Sequence, residues 1–150
     1  MQLSAGGRFA GTLPGGYQDV TQKLRFPRRA ETAAEARAAV NDLADVLDEP
    51  LLYDLRLLVT EVVASRLRKP ARAAAAWLEL ELGIDSQRVR VEVNDVGAHW
   101  VFEPAPHTFD PEDSSGWSLY LVDRLADRWG LHRGDAALSL WFEVDRDADR

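Results

Sequence analysis

LELELGIDSQRVRVEV, residues 78–93, is the stretch whose reading decides the fold. Leu78, Leu80 and Leu82 alternate with Glu79 and Glu81. After a turn around Gly83 to Gln87, Val89, Val91 and Val93 alternate with Arg88, Arg90 and Glu92. A period of two belongs to an extended chain, whose successive side chains point to opposite faces. The two runs therefore predict an antiparallel hairpin with one dry face and one wet face.

On the N-terminal side of the hairpin the period becomes helical. A helix from about Leu51 to Arg68 carries Leu55, Leu58, Val59, Val62 and Val63 on one stripe, and Pro70 ends it. Before it, Thr32-Ala-Ala-Glu35 has the pattern of a capping box, in which hydroxyl and carboxylate satisfy free amides at a helix start. Ala36, Val40, Leu43, Ala44 and Leu47 follow at helical spacing, so a first helix is expected to stop near Asp48 and Pro50. Leu24 and Phe26 form a short strand-like piece ending at Pro27.

On the C-terminal side comes a proline-bearing loop from Ala98 to Ser115. A third helix of roughly Trp117 to Trp129 would set Leu119, Val122, Leu125, Ala126 and Trp129 on one side. A last strand alternates Leu138, Leu140, Phe142 and Val144 with Ser139, Trp141 and Glu143. About three helices on one face of a mixed, mostly antiparallel sheet make a two-layer α+β sandwich. Residues 1–22, with Gly6, Gly7, Gly11, Pro14, Gly15 and Gly16 among polar residues, read as a flexible tail. The domain then spans 23–145, with a solvated tail at 146–150.

Composition narrows the function. The 150 residues carry 18 Lys and Arg against 25 Asp and Glu, a formal net charge of −7. That balance argues against general binding to a nucleic-acid backbone, which needs an excess of cations on one face. With no cysteine, disulfides and thiolate metal sites are excluded. Met1 to Val20 has no long apolar run, so no signal peptide or membrane span is expected, and a cytoplasmic protein is the reading. His99, His107 and His132 are too scattered for a metal site. Gly116-Trp-Ser118-Leu-Tyr120 lacks the last glycine of a nucleophile elbow. Trp129 is expected in the core, while Trp77, Trp100, Trp117 and Trp141 could lie on the wet face of the sheet or in the loop.

Three segments carry chemistry. In the second helix, Glu61 and Ser65 are four residues apart and share a face. At the end of the second hairpin strand, Val91-Glu-Val-Asn-Asp95-Val-Gly97 places a carboxylate and a glycine together, residue types that also build strand-end turns. Ser115-Gly116-Trp-Ser118 opens the third helix, where free amides attract anions. In this order, and with the closing Leu140-Trp141-Phe142-Glu143, they resemble the GHKL (histidine-kinase-like) ATPases over about residues 23 to 144. The resemblance is nearest to the bacterial anti-sigma-factor serine kinases.

The resemblance implies a GHKL, or Bergerat-type, fold with ATP and Mg²⁺ as cofactors. By it, Glu61 stands at the general-base position, and Ser65 replaces the asparagine that ligates Mg²⁺. Asp95 stands at the carboxylate that accepts from the adenine amino group, and Gly97 lets the backbone approach the base. His99 replaces a further glycine. Gly116 faces the phosphates, and Ser118 takes the place of a second glycine there. Ser139 falls within a residue or two of a late threonine that helps hold adenine, and Arg68 matches a basic residue common after the asparagine. The implied partners are a sigma factor or an anti-sigma antagonist protein, and proteins of this kind often form homodimers. Three readings stay open: a regulatory protein-binding module with weakened or lost nucleotide chemistry, an active ATP-dependent serine kinase, and a scaffold domain with an unrelated partner.

Overall fold

The computed structural model describes residues 9–12, 18–68, 76–97, 116–133 and 137–146. In chain order they form strands β1 (Phe9–Thr12) and β2 (Gln18–Pro27), helices α1 (Thr32–Asn41) and α2 (Glu49–Leu67), the hairpin β3 (Trp77–Ile84) and β4 (Arg88–Val96), helix α3 (Trp117–Leu125), and strands β5 (Arg128–Arg133) and β6 (Ala137–Asp145). The sheet runs β1-β2-β3-β4-β6-β5, and every described pairing is antiparallel. The α+β sandwich expected from the alternation is the architecture found.

The hairpin sets the two faces. Leu80 pairs with Val93 and Leu82 with Val91, all buried, while Glu79 and Glu81 face the other side. Leu24 on β2 and Leu140 on β6 extend the first of these rows, and Phe142 extends the second. Above this apolar face lies the stripe of α2, with Leu55, Leu58, Val59, Val62 and Val63 all at most 2% exposed. α2 begins where Asp48 accepts a hydrogen bond from the Leu51 amide at 3.0 Å, with Pro50 in the first turn.

Four local expectations give way to tertiary contacts. The Thr32 hydroxyl does not cap α1; it is fully buried inside the first turn and donates to the Pro27 carbonyl at 2.6 Å. α1 ends at Asn41, short of Asp48, and turns fill the interval. The third helix stops at Leu125, and Trp129 belongs to β5, where it packs on the core from a strand and donates Nε1–H to Asp123 at 3.1 Å. Residues 9–12 and 18–22, expected in a flexible tail, lie in β1 and at the start of β2, because β3 offers β2 a partner from Val20 to Pro27.

The wet face is laced with ion pairs and two stacked arginines. Arg25 lies over the Trp77 ring at 4.4 Å and Arg90 over Trp141 at 4.3 Å. Trp141 presses on Gly130 so closely that a Cβ there would come within 2.8 Å of the indole nitrogen. Glu143 accepts from Arg128 at 2.8 Å and from Arg88 and Arg90 at 3.1 Å each. The Arg128 guanidinium above all, reinforced by Arg90 and Arg88, holds its carboxyl below the ordinary carboxylate range, although burial pushes the other way.

Candidate functional site

The residues that the resemblance assigns to a site come from α2, the end of β4 and the start of α3. Glu61 is partly buried on α2, and Ser65, one turn further on, is 2% exposed. A serine is shorter than an asparagine, so this position presents a short hydroxyl beneath the helix surface. Arg68, exposed, closes α2 at its C-cap.

Asp95 continues the dry-face phase of Val89, Val91 and Val93, so its carboxylate points toward the helices rather than to solvent. It pairs in register with Leu78 on β3 and Leu138 on β6, and it is completely buried. Gly97, just past the strand, has φ of 79°. An L side chain is strained in that left-handed region, so the glycine is a backbone requirement of the turn.

A buried carboxylate is tolerated when it is paired and hydrogen-bonded. Asp95 meets both conditions with two arginines. Arg28, immediately after β2, donates from Nη1 to Oδ1, and Arg66 of α2 donates from Nε to Oδ2 at 2.9 Å. Arg28 also donates from Nη2 to the Arg66 carbonyl at 2.5 Å. The side chains of Arg28, Arg66 and Asp95 are 11%, 7% and 1% exposed. This triad ties the end of β2, the last turn of α2 and the end of β4 together. Sequence reasoning missed both arginines, although Arg66 extends the buried spacing Leu55, Val59, Val62 by one more turn. A cation on a buried stripe requires a carboxylate nearby.

At α3, Gly116 is the N-cap residue with φ −90° and ψ −3°, and among the described residues no side chain caps the first turn. Ser118 is buried in that turn. α2, α3 and β4 thus bring Glu61, Ser65, Asp95, Gly97, Gly116 and Ser118 to the helix side of the sheet. Ser139 does not join them. It pairs in register with Asn94, to which its hydroxyl donates, on the face turned away from Asp95. The expectation that Ser139 helps hold a base is corrected by this one-residue difference in face. His99, Trp100, His107 and the acidic loop residues Asp110, Glu112 and Asp113 lie outside the described residues. His132 is exposed on β5.

Placed as the resemblance implies, with Ser65 toward the metal and Asp95 toward the base, the residues present fit Mg·ATP poorly. At the metal end, Mg²⁺ needs near-octahedral oxygen ligands at about 2.0–2.1 Å, and α2 offers there a buried short hydroxyl. At the base end, each carboxylate oxygen of Asp95 already accepts from a guanidinium. Among the described residues no group of three or more His, Cys, Asp or Glu is placed to hold a metal ion. No described helix is long and apolar enough to cross a membrane. In comparison with known proteins, one family model, described as histidine kinase-like ATPase domain, matches residues 26–143. No curated protein matches the chain.

Proposed function

Because the chain belongs to the histidine kinase-like ATPase family, we propose that it is a cytoplasmic regulatory module of the anti-sigma-factor kinase type, binding a protein while its nucleotide binding and phosphoryl transfer are weakened or lost. The observation that carries this is Ser65, buried four residues after Glu61 on α2. Phosphoryl transfer is almost entirely positioning and charge neutralisation by metal and cations. A helix that keeps its carboxylate but presents a buried hydroxyl in place of an amide loses the metal's position first. The pairing of Asp95 with two arginines supports the same reading from the other end of the cleft. What remains is an α+β frame in which α2 is tied to the sheet through the Arg28–Asp95–Arg66 triad. Its partner would be a sigma factor or an anti-sigma antagonist, and a homodimer is the assembly proposed.

The active-kinase rival draws on Glu61, on the left-handed Gly97 and on the uncapped start of α3. Thermal unfolding of the wild-type protein with Mg·ATP separates the two. A micromolar site at a thousandfold excess of ligand adds about 4 kcal/mol, which raises the melting temperature by roughly 8–16 °C in a chain of this size. No shift of that order is expected, and no phosphate transfer to a serine of an antagonist protein. Mg²⁺-dependent stabilisation with transfer would overturn the proposal. Capture of a sigma factor or antagonist without nucleotide would support its protein-binding half; release of that partner by mutation of Glu61 alone would contradict it.

A further inference from the structure

We infer that Arg66 is a built-in occupant of the base end of the cleft, and that it sets how well this fold takes an adenine nucleotide. The inference rests on the reading of Asp95 as the base-facing carboxylate, but not on the state of the metal end. Asp95 is buried and its charge needs a partner; in many sites a ligand's amino group would help to supply one. Here the chain supplies it from within, and the Arg66 guanidinium sits at hydrogen-bond distance on Oδ2. An incoming exocyclic amino group is neutral. Each carboxylate oxygen can accept more than one hydrogen bond. Asp95 is fully buried, however, so the amino group reaches it only by displacing a side chain held there by a charge-assisted bond, about twice as strong as a neutral one.

The two arginines differ in what they hold. Arg28 bonds the carboxylate with one nitrogen and the Arg66 carbonyl with another, so it fastens the end of β2 to the last turn of α2. Arg66 reaches the carboxylate from the helix face that packs over the sheet, and its side chain is 7% exposed. Removing Arg28 would loosen a joint between elements. Removing the Arg66 side chain leaves that joint and keeps one cation on Asp95; it gives up the direct bond between α2 and β4 and frees Oδ2. Arg66 is therefore the group that stands between this carboxylate and a base.

The test uses the full chain and reads the base end without metal. Binding of ADP and of inosine diphosphate is measured by calorimetry in EDTA for the wild type, R66A and R66M. ADP offers an amino group to the carboxylate, whereas inosine diphosphate offers a carbonyl oxygen in the same place. R66A is expected to bind ADP at least tenfold more tightly than the wild type, about 1.4 kcal/mol, with a smaller gain for inosine diphosphate. R66M keeps the length of the side chain without its donors, and a gain there too supports competition for the carboxylate. If R66A fails to fold, R66M is judged by the same comparison. A folded variant with wild-type affinity for ADP overturns the inference, as does an equal gain for both nucleotides. Because wild-type Mg·ATP decides the functional reading and metal-free variants decide this one, the two can fail separately.

Discussion

Replacing Asp95 by alanine leaves two guanidinium groups, 7% and 11% exposed, facing a site without its anion. Removing one partner of a buried ion pair costs about 3–5 kcal/mol, because the surviving charge stays desolvated. Here two charges survive, and they repel each other, so the upper part of that range applies. A domain of ordinary stability has about 5–15 kcal/mol in total, which makes D95A one of the most damaging single changes the fold admits. At roughly 2–4 °C per kcal/mol in a chain of this size, the melting temperature falls by about 8–20 °C. Urea unfolding followed by circular dichroism measures the change as a lower midpoint at constant slope. Pairing D95A with R66M removes one stranded charge, so the double variant is expected to be less damaged than the sum of the singles, by roughly 1–3 kcal/mol. A loss below about 1 kcal/mol for D95A, the worth of a solvent-exposed pair, would refute the account of a closed, desolvated triad.

Three further outcomes follow from the frame. Asp48→Ala removes the side chain that caps α2 on the Leu51 amide, and a loss of about 1 kcal/mol is expected in urea unfolding. Gly130→Ala drives a methyl group into the Trp141 ring, costs about 1–3 kcal/mol as an overpacked contact, and shifts tryptophan emission; in a W141A background the penalty should disappear. Glu143→Gln tests pH dependence: because the folded pKa lies below the ordinary 4.5, the ion pairs stabilise the native state above that pH and cease to do so as pH falls through the folded value. The gap between wild type and E143Q should therefore close on acidification, and a gap that widens would contradict the assignment.

The elements that a local pattern can encode were legible in the chain. The alternation of residues 78–93 gave the hairpin and its two faces, and the stripe from Leu55 to Val63 gave the buried side of α2. What was not legible depends on contacts between distant segments. Trp129 fits a helical spacing from Leu125 and Ala126, yet the chain turns extended at Ala126, and the Asp127 amide bonds the Glu143 carbonyl at 2.9 Å. Thr32 has a capping residue's chemistry, but the Pro27 carbonyl claims its hydroxyl. Asp95, Gly97, Gly116 and Ser118 stand out in the sequence by residue type and order; the structure adds that Asp95 and Ser118 are buried and that Gly97 is left-handed. Ser139 lay on the wet side of the last strand's own alternation, opposite in phase to Asp95, so the strand pattern already opposed the base-holding role that the resemblance implied, and the register with Asn94 keeps it there. Arg66 was readable in principle from its place on the stripe, whereas Arg28 has no local signal at all.

The triad also bears on how long the native state lasts once formed. Its members are separated by 29, 38 and 67 residues along the chain, and contacts so remote in sequence wait for the intervening segments to be arranged. Interactions that arise after the rate-limiting barrier leave the speed of folding almost untouched and govern the rate of escape instead. If the Arg28–Asp95–Arg66 cluster forms that late, it acts as a brake on unfolding, and weakening it should raise the unfolding rate in stopped-flow measurements far more than it lowers the folding rate.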